Sequence, residues 1–246
     1  MGSSTATTWP VRVVAGGLAL LWGFFWFGLI DLLVVLDQDE RFHEHYLMES
    51  GWGLLYLVLV TTPLVVLCVR PGRCDAVEQL WVCAAAVVVG GIWGWAWPQL
   101  LNGLALAASA WLVGRLAGTP RRTWHRPDAP LLGLGVVALV GAVAYGHPLA
   151  RNTTLVEDIT NGVSHFPMQA SLGLAVAGLA ILTAFTGSRL AAWTTAFTTA
   201  WLGVESVVYP DLVGSLGVPG GWAAVAWAGL LVVLTERRRR SPRRDH

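Results

Sequence analysis

The run His45-Tyr46-Leu47-Met48-Glu49-Ser50-Gly51-Trp52-Gly53-Leu54 returns 120 residues later as His165-Phe166-Pro167-Met168-Gln169-Ala170-Ser171-Leu172-Gly173-Leu174. His, Met, Gly and Leu are identical, Tyr46 faces Phe166, and Glu49 faces Gln169. Beyond Met1, Met48 and Met168 are the only methionines, and each follows a His by three residues. Residue types this rare mark an internal duplication rather than shared apolar filler. A second trace lies further along. Trp81 precedes Pro98 by seventeen residues and Trp193 precedes Pro210 by seventeen. In that register Gly91 matches Gly203, Trp97 matches Tyr209 and Leu100 matches Leu212. The second copy is eight residues shorter between the two traces, where a loop tolerates deletion.

The duplicated unit belongs to a membrane. Of 246 residues, 55% are hydrophobic and 13% charged, against about 25% charged in a soluble domain. The first apolar run, from about 11 to 36, is too long for a signal peptide's core and follows no basic start, so it reads as a retained span. The stretch from Gln79 to Leu116 would be about 57 Å long as one helix, roughly twice the hydrocarbon thickness. It must fold back, and Trp97-Pro98-Gln99 before Asn102-Gly103 is the expected turn. Pro63 is the proline expected to kink a span. Eight helices follow, near 12–36, 48–69, 77–97, 99–117, 130–147, 165–186, 190–208 and 218–235.

Charge supports that count. With the N-terminus inside, Arg12, Arg70, Arg73, Arg115, Arg121, Arg122, Arg126, Arg189 and the basic tail fall in the cytoplasm, and only Arg41 and Arg151 fall outside. A split of fourteen to two follows the positive-inside rule. The expected fold is therefore all-α and polytopic: two tandem, parallel four-helix repeats at 12–117 and 130–235, related by an axis along the membrane normal. Residues 1–11 form a cytoplasmic N-terminus, 118–129 a cytoplasmic linker and 236–246 a polybasic cytoplasmic tail. The expected location is the cytoplasmic membrane, with both termini inside.

All sixteen basic residues are Arg, which excludes Schiff-base chemistry on a Lys. Cys68, Cys74 and Cys83 lie at or near the cytoplasmic face, where thiols stay reduced. Phosphate loops, Cys-x-x-Cys sites and nucleic-acid signatures do not occur. Asn152-Thr153-Thr154 matches a glycosylation acceptor.

Three readings of the copied segment compete. In the first, His45, Met48, His165 and Met168, with His43 and His147 at the same level, form an outer-side metal site. Imidazole and thioether suit copper, and His45 with His165 suits axial haem ligation. Glu49, Asp31 and Glu205 then orient ligands or handle protons. In the second, Asp31, Glu49 and Glu205 are the acids and bases of a cofactor-free enzyme for a lipidic or isoprenoid substrate. Trp26, Trp52, Trp93, Trp95 and Trp201 would then line its cavity, because ionisable groups in a bilayer rarely lack a function. In the third, the repeats form a small-solute transporter or a purely structural subunit.

Overall fold

The computed structural model describes residues 8–37, 40–118, 126–152 and 164–240, and leaves aside the side chains of residues 41, 42 and 239. Arg121, Arg122, His125, Thr153, Thr154, Glu157, Asp158 and the end of the tail therefore lie outside the described residues. Everything described is helix or short connection, with no strand. The long helices are α1 (Trp9–Asp37), α2 (His43–Val69), α3 (Cys74–Trp93), α4 (Trp97–Ala117), α5 (Ala129–Ala150), α6 (Phe166–Thr186), α7 (Arg189–Val208) and α8 (Gly217–Arg240). All except α7 are long and apolar enough to cross a membrane. The chain is thus a multi-pass membrane protein. α7 has the length, at 20 residues, but four threonines and Glu205 lower its hydropathy.

Local chemistry sets the helix ends. Gly118 and Gly187 close α4 and α6 in the left-handed conformation that favours glycine. Asp128 and Ser188 cap α5 and α7 by accepting from the Leu131 and Ala191 amides. The expected turn at Trp97-Pro98-Gln99 sits earlier, at Gly94–Ala96. Trp97 and Pro98 instead open α4, because proline at a first helical position gives up no hydrogen bond. α8 also continues past the expected end at 235. Arg189 holds Glu236 at 2.7 Å and Arg238 donates to the Ala184 carbonyl at 2.7 Å, so the basic residues to Arg240 extend the helix.

α1 and α2 are not regular. α1 widens into a π turn at Leu21–Phe25 and breaks at Phe27, whose φ is 62°. α2 begins with a 3-10 turn at Glu40–His45 and carries a π segment, Leu54–Thr61, ahead of Pro63. Wide turns leave carbonyls without their usual amides, and nearby groups cover them. Thr61 donates to Tyr56 O at 2.8 Å, and Trp52 Nε1 donates to Trp26 O at 3.0 Å. The disturbance at Pro63 is thus spread over the preceding turns.

Packing runs in pairs. α1 lies on α2, α3 on α4, α5 on α6 and α7 on α8, while α3 crosses α6 and α2 crosses α7. Matched glycines sit at matched crossings. A Cβ on Gly53 would meet the α1 backbone at Leu32 N, 2.6 Å away, and one on Gly173 would meet Ala142 of α5 at 3.3 Å. A Cβ on Gly91 would meet Leu100 N of α4 at 2.7 Å, and one on Gly203 would meet Gly221 O of α8 at 2.7 Å.

Candidate functional site

The two copied segments meet where the N-terminal ends of α2 and α6 cross. Glutamines hold this crossing. Gln169 Nε2 donates across to Leu47 O at 2.5 Å and Met48 O at 3.2 Å. Gln99 of α4 donates to Pro167 O at 2.9 Å and Ser171 Oγ at 2.5 Å. Deeper, Gln79 of α3 donates to Leu59 O at 2.9 Å. Each of these amides satisfies buried backbone on another helix, where no water competes.

Glu49 occupies the position matching Gln169 and reaches the opposite way. Its Oε1 lies 3.1 Å from His165 Nδ1, without the alignment of a full hydrogen bond. Both residues are buried, at 2% and 7% exposure. The His165 ring lies 4.5 Å, centroid to centroid, from Trp52. Trp52 packs on Tyr56 at 5.1 Å and on Trp26 at 6.2 Å, and Tyr56 stacks on Trp22 at 5.4 Å. Trp22 Nε1 ties this aromatic column to Ser109 of α4 at 3.3 Å. Asp31 is buried on α1 within electrostatic reach of Glu49.

Glu205 forms a second polar centre on α7. Its Oε1 accepts from Ser50 Oγ and Trp201 Nε1, both at 2.6 Å, while Oε2 is buried without a partner. Tyr145 lies within electrostatic reach of Glu205, donates to Gly214 O at 2.8 Å and approaches Gln169 Oε1 at 3.3 Å. Carboxylates, an imidazole and phenols thus share one level of the bundle.

The remaining sequence candidates scatter around this centre. Met168 accepts a long contact from Tyr56 Oη at 3.7 Å, inside the main apolar core. Met48 packs instead with Leu149, Phe166 and Tyr145 in a separate cluster. His43 is exposed, with ring contacts to Tyr46 and Tyr209, and His147 is exposed with its ring 6.1 Å from Trp93. His45 is half-buried at the end of the 3-10 turn that opens α2. Among the described residues no three His, Cys, Asp or Glu side chains gather as a metal-holding group. Of the proposed cavity tryptophans, Trp26 and Trp52 join the column and Trp201 joins Glu205, whereas Trp95 is 84% exposed. Sequence reasoning missed Ser50, Tyr145, Gln79 and Gln99. A polar amide inside an apolar span was the available signal for the two glutamines.

No family model matches the chain, and no curated protein or solved structure resembles it.

Proposed function

We propose that this chain is a duplicated eight-span protein of the cytoplasmic membrane, with both termini inside, whose work is done by an outer-side acid–base site at the crossing of the two repeats. Several features support the duplication: the copied segments, the matched glycines and the recurring helix pairs. α7 is the eighth span, with Thr194 and Thr199 bonded back to its own backbone and Thr194 also accepting from Gln79 of α3.

One observation carries the functional reading: the buried imidazole of His165 beside the buried carboxyl of Glu49 at 3.1 Å, on the face of Trp52. An imidazole and a carboxyl this close supply the two components of a general acid–base pair once a small side-chain turn aligns them. Asp31 is buried within electrostatic reach of Glu49, and aromatic faces stabilise a cation. The substrate class is a neutral lipid or isoprenoid reached from the outer leaflet. A second reading keeps one supporting feature. His165 turns Nδ1 to a carboxylate, as metal-bound histidines do, leaving Nε2 as the ligand atom for copper or haem.

Turnover tests the first reading. Purified protein in bilayers, incubated with neutral lipids and isoprenoids, should yield a product by mass spectrometry that is lost in both Glu49→Gln and His165→Ala. No product, or product formed equally by both variants, overturns the reading. Stoichiometric copper or haem in purified protein, lost in His165→Ala, transfers the site to the second reading.

A further inference from the structure

The two repeats differ most in what fills the space beside α2 and α6. In the first repeat Trp52 and Tyr56 occupy it and stack on Trp22 and Trp26. At the matching positions 120 residues on, the second repeat carries Leu172 and Val176. There the structure has a cavity of about 270 Å³ between α5, α6, α7 and α8, with Leu172 and Val176 in its wall.

Hydrogen bonds close the cavity at both ends. Trp227 Nε1 donates to Leu134 O at 3.2 Å and forms the floor. Tyr145 Oη donates to Gly214 O at 2.8 Å and forms the roof. Leu134 to Tyr145 spans about 16 Å along α5, at 1.5 Å per residue. The side is open between α5 and α8, where Val137, Gly141 and Ala223 are exposed on a flank that faces lipid in spanning helices.

The lining identifies the occupant. No charged side chain contributes to it, so a phosphate or ammonium head has no counter-charge there. Its width is set by glycine and alanine, and its volume falls just below the usual 300–1,000 Å³ of ligand pockets, enough for one chain and not two. One polar atom in the wall is unpartnered. Thr198 is fully buried, and its Oγ1 makes no hydrogen bond. Its neighbours Thr194 and Thr199 bond back to the carbonyls of Leu190 and Thr195. Thr198 does not, so its hydroxyl is an unused donor in the helix that walls the cavity, and a turn of its side chain toward the lumen would present it to a ligand.

We propose that this cavity holds a single-chain neutral lipid drawn sideways from the bilayer between α5 and α8, with its hydroxyl or carbonyl oxygen on Thr198 Oγ1. The site does not depend on the acid–base reading of Glu49 and His165. It explains why the second repeat abandons the aromatic pair that the first retains.

Photolabelling tests it with a long-chain alcohol bearing a diazirine near its hydroxyl, added to full-length protein in lipid nanodiscs. Adducts should concentrate on α7 and α8 around Thr198 and Trp227, saturate, and be displaced by dodecanol but not by dodecyl phosphate. Thr198→Val should weaken labelling about fivefold, the loss of one buried hydrogen bond. Val176→Tyr, which restores the first repeat's residue, should abolish it. Ala223→Trp should do the same from the exposed mouth, where folding is least affected. Labelling spread evenly over the outer faces, labelling unchanged by Ala223→Trp, or equal displacement by the phosphate would each overturn the proposal.

Discussion

Exchanging the two matched polar residues at the repeat crossing should have unequal costs. In Gln169→Glu, the amide that donates to Leu47 O at 2.5 Å and Met48 O at 3.2 Å becomes a group that, when ionised, only accepts. Both donated hydrogen bonds vanish, and a carboxylate faces two carbonyl oxygens at a position 1% exposed. Two buried hydrogen bonds contribute about 1–3 kcal/mol net, and a buried uncompensated charge costs several more. The expected loss is therefore at least ~3 kcal/mol. It should shrink in acid, where a protonated carboxyl donates one bond again. In Glu49→Gln an amide oxygen stays beside His165 Nδ1 and no donated hydrogen bond is lost, so the expected loss is below ~1.5 kcal/mol. The assay is equilibrium unfolding of each variant in one detergent. Gln169→Glu within ~0.5 kcal/mol of wild type, or Glu49→Gln as damaging as Gln169→Glu, would refute this account of the crossing.

Two further outcomes follow from packing and charge. Gly91→Ala and Gly203→Ala should each cost about 1–3 kcal/mol by thermal unfolding, because the added methyl meets backbone at 2.7 Å at both positions; a neutral result at either position would contradict that close approach. At the turn between α2 and α3, Arg73 holds Asp75 through two bonds of 2.7 and 2.8 Å, and Asp75 also accepts from Ser188 at 3.1 Å. Hydrogen bonding to Asp75 raises the Arg73 guanidinium above its already high ordinary value. A raised cationic group stabilises the fold below its unfolded value and loses that effect only at higher pH. The Arg73 contribution should therefore stay flat across the range in which the protein survives. Arg73→Gln should cost about 1 kcal/mol, discounted for its partial exposure, and Asp75→Asn more, since Asp75 is buried and serves both partners. An Arg73→Gln cost that varies steeply between neutral and mildly alkaline pH would contradict this.

The all-helical, multi-pass character was legible because long apolar runs, broken by arginine- and glycine-containing turns, carried it. The turn after α3 was misplaced because a proline signals the first turn of a helix as readily as a break. The His–Met spacing reads as one helical face in each copy, yet the structure gives the two copies different surroundings. His45 and His165 both stand at the N-cap of their α-helical segments, while Met168 lies in the main apolar core and Met48 in a separate cluster. The mismatch of Glu49 with Gln169 was visible in the sequence. Its meaning depended on what lies opposite, an imidazole in one case and bare carbonyls in the other, and only packing decides that. The π segments in α1 and α2 left no mark in composition, since widened turns use the same apolar residues as regular ones.

The central claim is that Glu49 and His165 act as one unit across the repeat boundary, and a double-mutant cycle measures that directly. Unfolding free energies of wild type, Glu49→Leu, His165→Leu and the double variant should yield a coupling of about 1–3 kcal/mol, as for buried charged neighbours in contact. Two single effects that simply add, with coupling below ~0.3 kcal/mol, would show that the two groups do not sense each other and would remove the proposed site.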